Sequence, residues 1–219
     1  MTTPRIRCIV EWLFDRIYGS QPRPNGSEMR TFNDTPNKKA ELILHILDIE
    51  WQMFSLLRHP ESRKNDHGEK LYRAMRRKVH SFLPENVLLS YLLDLRQAQR
   101  EGRNLIAEKF DRREGKRLLL KANPLIPQIV ELECAWKQAK DQKSPHRKLA
   151  RSEEAFRLYI TSELETYSDR TLDLYYRAIL DARRARRNLV EERYRRHANP
   201  ASLNGAKKKK KWFGFRRAA

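Results

Sequence analysis

Residues 85–112 read ENVLLSYLLDLRQAQREGRNLIAEKFDR, and residues 169–196 read DRTLDLYYRAILDARRARRNLVEERYRR. An offset of 84 residues aligns the two segments with nine identical pairs. These pairs are Leu88/Leu172, Tyr91/Tyr175, Ala98/Ala182, Arg100/Arg184, Arg103/Arg187, Asn104/Asn188, Leu105/Leu189, Glu108/Glu192 and Arg112/Arg196. A shared helical composition does not account for so many matches. The pattern therefore predicts an internal duplication, with two units whose apolar faces complete each other's core.

Apolar residues at spacings of three and four continue upstream of these segments. One stripe contains Leu42, Ile46, Ile49, Met53 and Leu56, which is the period of a helix that faces a core. No stretch of useful length alternates in the way a β-strand does. We predict an all-α fold, an internally duplicated helical bundle with a pseudo-twofold repeat.

Composition shifts divide the chain into four parts. Residues 1–18 form an amphipathic helix pattern, and residues 19–37 are rich in Gly, Pro, Ser and Asn, as linkers are. The duplicated domain is predicted at residues 38–198, with repeats at about 40–112 and 124–196. Residues 199–219 are predicted to be a disordered tail. The N-terminal helix offers a contact for a protein partner or for a second copy of the chain.

The overall composition restricts the class of protein. The chain has 219 residues, 47 Lys and Arg against 28 Asp and Glu, and a net charge of +19. Its apolar stretches are far shorter than the roughly 20 residues of a membrane-spanning helix, and no secretory signal is evident. We expect a cytoplasmic protein without a cofactor, in which Cys8 and Cys134 are reduced, buried thiols.

Three segments are similar to motifs of a known family. They are Glu41–Phe54 (ELILHILDIEWQMF), Glu101–Leu105 (EGRNL) and Tyr167–Tyr176 (YSDRTLDLYY). Together they resemble the bacterial family DUF4125, a domain of unknown function. The resemblance covers about residues 40–196 and implies an all-helical bacterial protein. Members of the family can be joined to a nucleotidyltransferase-like domain, which is a link to nucleotide chemistry by association only.

The chain departs from the family pattern after the first helix. The family typically has a segment like Gly-Gly-Arg-Ala-Ser-Cys-Gln there, whereas this chain has Pro60–His67 (PESRKNDH). Any chemistry that the family places in that segment is therefore not expected in this member.

A duplicated polar set is the first candidate site. It consists of Glu50 with Glu133, Arg103 and Asn104 with Arg187 and Asn188, and Glu108 with Glu192. Glu50 lies at the edge of an apolar stripe and needs a partner, for which an Arg of the repeated motif is expected. One hypothesis is a shared metal or acid–base site at the repeat interface. The favoured alternative is that the pairs fix helix register within each repeat.

Two weaker candidates lie in the first half. Helical spacing places Glu41, His45 and Asp48 on one face as potential metal ligands, but that face is opposite the apolar stripe and a solvated surface is favoured. Arg73 and His80 are spaced like the Arg and His of a class of helical ribonucleases, a spacing that a basic chain also contains by chance.

The C-terminal tail is the strongest candidate. An eleven-residue segment carries +7 and three aromatic residues, which suits the headgroup region of an anionic membrane. The same residues could bind RNA or single-stranded DNA, and in composition the tail is similar to basic–aromatic membrane effector segments. The predicted contact residues are Lys207, Lys208, Lys209, Lys210, Lys211, Trp212, Phe213, Phe215, Arg216 and Arg217.

A second basic block lies in the last repeat. Its members are Arg183, Arg184, Arg186, Arg187, Arg193, Arg195 and Arg196. The first functional hypothesis is a non-enzymatic adaptor held on an anionic surface, most simply the inner face of the cytoplasmic membrane. The alternatives are a nucleic-acid-binding protein that uses the basic block and the tail, and an enzyme or metal protein with a carboxylate–arginine site.

Overall fold

The computed structural model describes residues 38–57, 66–118, 120–143 and 152–198. All regular secondary structure in these ranges is α-helical, so the all-α prediction is confirmed. The helices are α1 (Lys38–Ser55), α2 (Asp66–Ser81), α3 (Glu85–Arg100), α4 (Leu105–Arg113), α5 (Leu125–Lys143), α6 (Glu153–Leu164), α7 (Asp169–Arg184) and α8 (Leu189–Ala198). The predicted N-terminal helix, linker and tail lie outside the described residues.

Each half of the bundle packs around its first helix. Helix α1 contacts α2, α3 and α4, and α5 contacts α6, α7 and α8 in the same way. The halves meet where α3 contacts α7, where α4 contacts α6 and where α2 contacts α8. Each of these contacts has a counterpart in the other half, as a pseudo-twofold bundle requires. The duplication of sequence that would explain the arrangement stays a prediction.

The apolar stripe of α1 faces the core. Ile46 is fully buried and Met53 is 3% exposed, while Ile49 packs against the core from its edge. Leu56 was expected to continue the stripe, and that expectation is wrong because α1 ends at Ser55 and leaves Leu56 65% exposed. Burial of the remaining apolar side chains supplies the main driving force for packing α1 on its neighbours.

The repeated asparagines begin the last helix of each half. The Oδ1 atom of Asn104 accepts hydrogen bonds from the backbone N–H groups of Ile106 and Ala107, which caps α4. Its Nδ2 atom donates to the carbonyl of Met53 at 2.8 Å. Asn188 makes the corresponding bond to the carbonyl of Trp136, also at 2.8 Å. These two predicted site residues therefore tie α4 to α1 and α8 to α5.

The turn before each of these helices contains a residue in the left-handed region. Gly102 has φ +66°, and the N–H of Arg103 then donates to the carbonyl of Ala98 at 2.8 Å. In the second half Arg186 has φ +54°, and the backbone N–H of Arg187 donates to the carbonyl of Ala182 at the same distance. The two turns have matching geometry, but only the first has the residue that adopts it without steric cost.

We therefore expect opposite effects from substitutions at these two positions. Gly102→Ala should lower the free energy of unfolding by about 1–2 kcal/mol, because a Cβ strains the left-handed backbone. Arg186→Gly should raise it by about 0.5–1 kcal/mol through relief of the same strain. Urea unfolding followed by circular dichroism measures both values.

The matched control is Arg186→Ala, which removes the same charge and keeps a Cβ. Its free energy of unfolding should stay close to that of the wild-type protein. A stabilisation by Arg186→Ala equal to that by Arg186→Gly would contradict the strain argument and assign the effect to charge.

Candidate functional site: a buried ionic cluster

Helix α2 presents polar side chains to the core. Tyr72, Arg76 and His80 follow one another at intervals of four residues, which places them on one face of the helix. They are 3%, 8% and 0% exposed. This face packs against α1, where Glu50 is also completely buried. The polar stripe of α2 and the carboxylate of α1 therefore meet inside the bundle.

The Glu50 carboxylate is surrounded by donors. Arg76 donates from Nη2 to Oε1 at 2.5 Å and from Nε to Oε2 at 2.9 Å, a two-point contact that suits the planar guanidinium. The hydroxyl of Tyr91 on α3 donates to Oε1 at 2.8 Å, and Nε2 of His80 lies 3.1 Å from Oε2. Both carboxylate oxygens are thus satisfied without water.

A second buried carboxylate, Glu163 on α6, lies on the other side of Arg76. Arg76 reaches its two oxygens at 3.4 and 3.3 Å. Lys109 of α4 donates to Oε2 at 2.9 Å, and Arg113 donates to Oε1 at 2.6 Å. The Nζ atom of Lys109 also lies 2.9 Å from the Tyr91 hydroxyl, which closes the network back to Glu50.

We call this group the ionic cluster and define it by its ionisable and hydrogen-bonded members. They are Glu50, Arg76, His80, Tyr91, Lys109, Arg113 and Glu163. The cluster joins α1, α2 and α3 of the first half to α6 of the second, with α4 between them.

The charges of the cluster shift one another's titration. Burial alone would raise the pKa of Glu50, but the Arg76 guanidinium and His80 hold it well below its usual 4.5. Burial opposes ionisation of Glu163 too, yet Arg76, Lys109 and Arg113 lower the pKa of that carboxyl. Both glutamates are therefore ionised in the folded protein at neutral pH.

His80 is a neutral member of the cluster at pH 7. Burial lowers its pKa from 6.5, and the attraction of Glu50 does not restore it. Since Nε2 faces a carboxylate oxygen, we assign the proton to Nε2 as the donor. Its Nδ1 atom has no hydrogen-bond partner within the described part of the chain. The imidazole thus adds a hydrogen bond but no charge.

A small cavity borders the cluster between α2, α4 and α6. Its volume is about 30 Å³, enough for one or two water-sized molecules. Its polar lining consists of Arg76, Lys109, Arg113 and Glu163, and its aromatic lining of Tyr72, Phe110 and Tyr159. The guanidinium of Arg113 lies 4.5 Å from the ring centroid of Tyr159, a cation–π distance that fixes its orientation.

The second half contains a simpler counterpart of the cluster. Glu133 on α5 is 1% exposed, accepts a hydrogen bond from Tyr175 and pairs with Arg193 at 3.3 Å. Glu50 and Glu133 share no partner in the described residues. The structure therefore places the two predicted carboxylates in separate environments.

The partners predicted for these carboxylates were wrong. Arg103 does not contact Glu50 but binds Glu108 through two bonds of 2.9 and 2.8 Å. Arg187 binds Glu192 in the same way, at 2.9 and 2.7 Å. Each of these pairs spans only five residues, so little chain entropy is lost in forming it. The repeated Arg–Glu pairs fasten the start of α4 and of α8.

The weaker candidates of the first half lie on the surface. His45 is 3.8 Å from Glu41, and both side chains are more than half exposed. Asp48 pairs instead with Arg73 at 2.6 Å, so Arg73 is held away from His80. The arginine that binds the Glu50 carboxylate together with His80 is Arg76. The described residues contain no group of three or more side chains arranged to hold a metal ion.

The basic block of the second half is partly paired with acidic side chains. Arg184 lies 3.2 Å from Asp181, Arg187 binds Glu192, and Arg193 is buried against Glu133. Arg183 and Arg186 are exposed. The side chains of Arg195 and Arg196 lie outside the described part of the structure, as do Cys8, the tail and residues 60–65 of the divergent segment. Cys134 is a buried free thiol.

Sequence reasoning missed most of the ionic cluster. It identified Glu50, but not Arg76, Lys109, Arg113 or Glu163. Two signals were available: the interval of four between Tyr72, Arg76 and His80, and an offset of 83 residues that aligns His80 with Glu163. Neither signal shows by itself that the side chains converge.

Comparison with known proteins identifies a family. A family described as Protein of unknown function (DUF4125) matches residues 40–208. The match confirms the resemblance seen in the sequence and extends it beyond α8. No curated protein and no solved structure matches the chain.

Removal of the central cation should destabilise the fold severely. We expect Arg76→Met to lower the free energy of unfolding by about 3–5 kcal/mol, because it leaves two buried carboxylates short of a partner. The matched control is Arg73→Met on the same helix, whose partly exposed ion pairs should contribute about 1 kcal/mol or less. Equal losses in the two variants, measured by urea unfolding, would contradict a central role for Arg76.

The lowered pKa values of Glu50 and Glu163 predict a loss of stability in acid. The unfolded chain binds protons near pH 4.5, whereas the folded chain keeps both carboxylates ionised below that pH. Folding stability from this source is therefore complete above pH 4.5 and decreases as the pH falls towards the folded-state pKa values. Urea unfolding measured between pH 6 and pH 3 should show this decrease.

Glu50→Gln removes one of the two titrating groups while conserving shape. The slope of unfolding free energy against pH should become flatter below pH 4.5, whatever the absolute stability of the variant. The exposed Glu85→Gln serves as the control and should leave the slope close to that of the wild-type protein. A wild-type slope in Glu50→Gln would show that this carboxyl titrates alike in both states.

Proposed function

This chain belongs to the DUF4125 family, and we propose that it is a non-enzymatic helical binding module that attaches to an anionic surface through residues 207–217. The surface we propose is the cytoplasmic face of a membrane. The observation that carries this proposal is the distribution of charge between the helical bundle and the tail.

The helical bundle is close to electrical balance. Its described residues contain 29 Lys and Arg against 23 Asp and Glu, a net charge of +6. Residues 207–217 contain seven basic residues and no acidic one. Since these eleven residues have no internal counter-charge, they give the chain its highest local density of positive charge. An anionic surface would attract this segment before it attracted the bundle.

Aromatic residues favour a lipid surface for this segment. Trp212, Phe213 and Phe215 lie between the lysine run and the two arginines. Each basic residue near an anionic leaflet contributes on the order of 1 kcal/mol, and aromatic rings insert at the headgroup boundary. None of the described helices combines the length and apolar character of a membrane span.

The structure of the bundle supports the non-enzymatic part of the proposal. Glu50 and Glu133, the carboxylates considered for catalysis, are 0% and 1% exposed and are fully engaged with protein donors. A substrate would have to open the bundle to reach either group. Their environment is that of structural carboxylates.

Nucleic acid is a second candidate ligand for the same tail, and the exposed Arg183 and Arg186 favour it. The pairing of Arg184, Arg187 and Arg193 with carboxylates reduces the charge that the basic block can offer to phosphates. For that reason we place nucleic acid after the membrane.

Vesicle flotation tests the proposal. The full chain should float with vesicles that contain about 30% phosphatidylserine, and it should remain unbound with neutral phosphatidylcholine vesicles. A triple variant, Trp212→Ala, Phe213→Ala and Phe215→Ala, keeps all seven charges and should lose at least tenfold in affinity, because it no longer inserts rings.

The matched control replaces Arg183, Arg184 and Arg186 with Ala and leaves the tail intact. It should float as well as the wild-type chain. Equal recovery with neutral and anionic vesicles would contradict the proposal, as would full flotation after deletion of residues 207–217. The second candidate would be favoured if nucleic acid co-purified with the wild-type chain but not with the arginine variant. The affinity of the wild-type chain for that nucleic acid should then fall as the salt concentration rises.

A further inference from the structure

The buried charges outside the ionic cluster form small ion pairs or triads. Outside the ionic cluster, each buried charged side chain in the described part of the chain pairs with one of opposite sign. The pairs are Glu108–Arg103 at 2.8 Å, Glu133–Arg193 at 3.3 Å, Glu165–Arg112 at 2.9 Å and Lys137–Asp141 at 2.8 Å. Two of the partners are shared, since Arg103 also lies 3.3 Å from Glu101 and Asp141 also lies 3.4 Å from Lys140. The side chains of Arg103, Arg112 and Asp141 are 51%, 20% and 28% exposed, so solvent screens these groups.

The ionic cluster is different. Three cations, Arg76, Lys109 and Arg113, meet two carboxylates, Glu50 and Glu163, and His80 is neutral. The side chains of the three cations are 9%, 2% and 7% exposed, so solvent screens them little. With every lysine and arginine protonated, the cluster carries a net charge of +1.

All three cations of this unbalanced group line the same cavity of about 30 Å³. We propose that the cavity binds one small monovalent anion, of the size of chloride or formate, which neutralises the surplus charge. An ion of this size matches a space for one or two water-sized molecules. The aromatic walls lower the local dielectric, which strengthens its attraction to the surrounding cations.

The titration of Lys109 supports the same conclusion. Burial lowers its pKa, Glu163 opposes that effect, and Arg76 adds to it. Loss of the ammonium proton is the other way in which the protein can relieve the surplus. A bound anion would instead favour the protonated lysine. The anion and the proton of Lys109 are therefore linked.

Thermal unfolding of the full chain tests the proposal. Sodium gluconate is replaced stepwise by sodium chloride at constant ionic strength, because gluconate is too large for the cavity and screens surface charge equally. The Tm of the wild-type chain should rise by about 3–5 °C when chloride reaches ten times its Kd. Lys109→Met balances the charge of the cluster and should abolish this rise.

The matched control is Lys78→Met, which removes an exposed lysine from α2 and leaves the cavity intact. It should retain the full rise in Tm, and binding of anions by the basic tail is the same in all three proteins. An equal rise in Lys109→Met, or no rise in the wild-type chain, would overturn the proposal.

A second measurement covers the case in which Lys109→Met does not fold. Crystals of the wild-type chain soaked in bromide should give an anomalous peak between Arg76, Lys109 and Arg113. Bromide peaks confined to the protein surface would overturn the proposal in that case. Neither measurement depends on attachment of the tail to a membrane.

Discussion

The bundle depends on the position of one guanidinium between two buried carboxylates. Arg76 lies on α2 and contacts Glu50 of α1 and Glu163 of α6. Removing these charges from water costs several kcal/mol for each ion, and only correct pairing offsets that cost. A shift of any one of the three helices along its axis would separate the pairs. The ionic cluster therefore restricts the register in which the two halves can join, which apolar packing alone does not do.

The two halves share a framework and differ in their chemistry. Asn104 and Asn188 make corresponding bonds, and Tyr91 and Tyr175 donate to corresponding glutamates. The second half, however, satisfies its buried glutamate with Tyr175 and a single cation, whereas the first half has a histidine and a set of cations shared with α6. The larger set of buried polar groups therefore lies where the first half meets α6.

Periodicity predicted the helices, because the burial of apolar side chains repeats with the helical turn. The apolar face of α6 was not singled out, since two polar residues, Ser162 and Glu163, are buried on that helix between Ile160 and Leu164. Nor could spacing identify the partner of Glu50. Arg103 was a reasonable choice by similarity, but it lies close to Glu108 along the chain and forms that pair instead. Which cation reaches a buried carboxylate is decided by tertiary packing, and a single sequence does not record it.

The same packing changes what the net charge of +19 means for recognition. Arg76, Lys109 and Arg113 are held in the interior, so they contribute little to the field outside the protein. Other basic residues of the bundle are neutralised by surface carboxylates, as Arg157 is by Glu131. Long-range attraction to an anionic surface depends on exposed, uncompensated charge within about a Debye length of that surface. Residues 207–217 contain seven basic residues and no acidic one, which is why we propose that this segment, and not the bundle, attaches the protein to an anionic surface. The surplus charge inside the bundle lies beside a cavity of about 30 Å³, which excludes a polymer, and a small ion in that cavity or loss of the Lys109 proton would neutralise it.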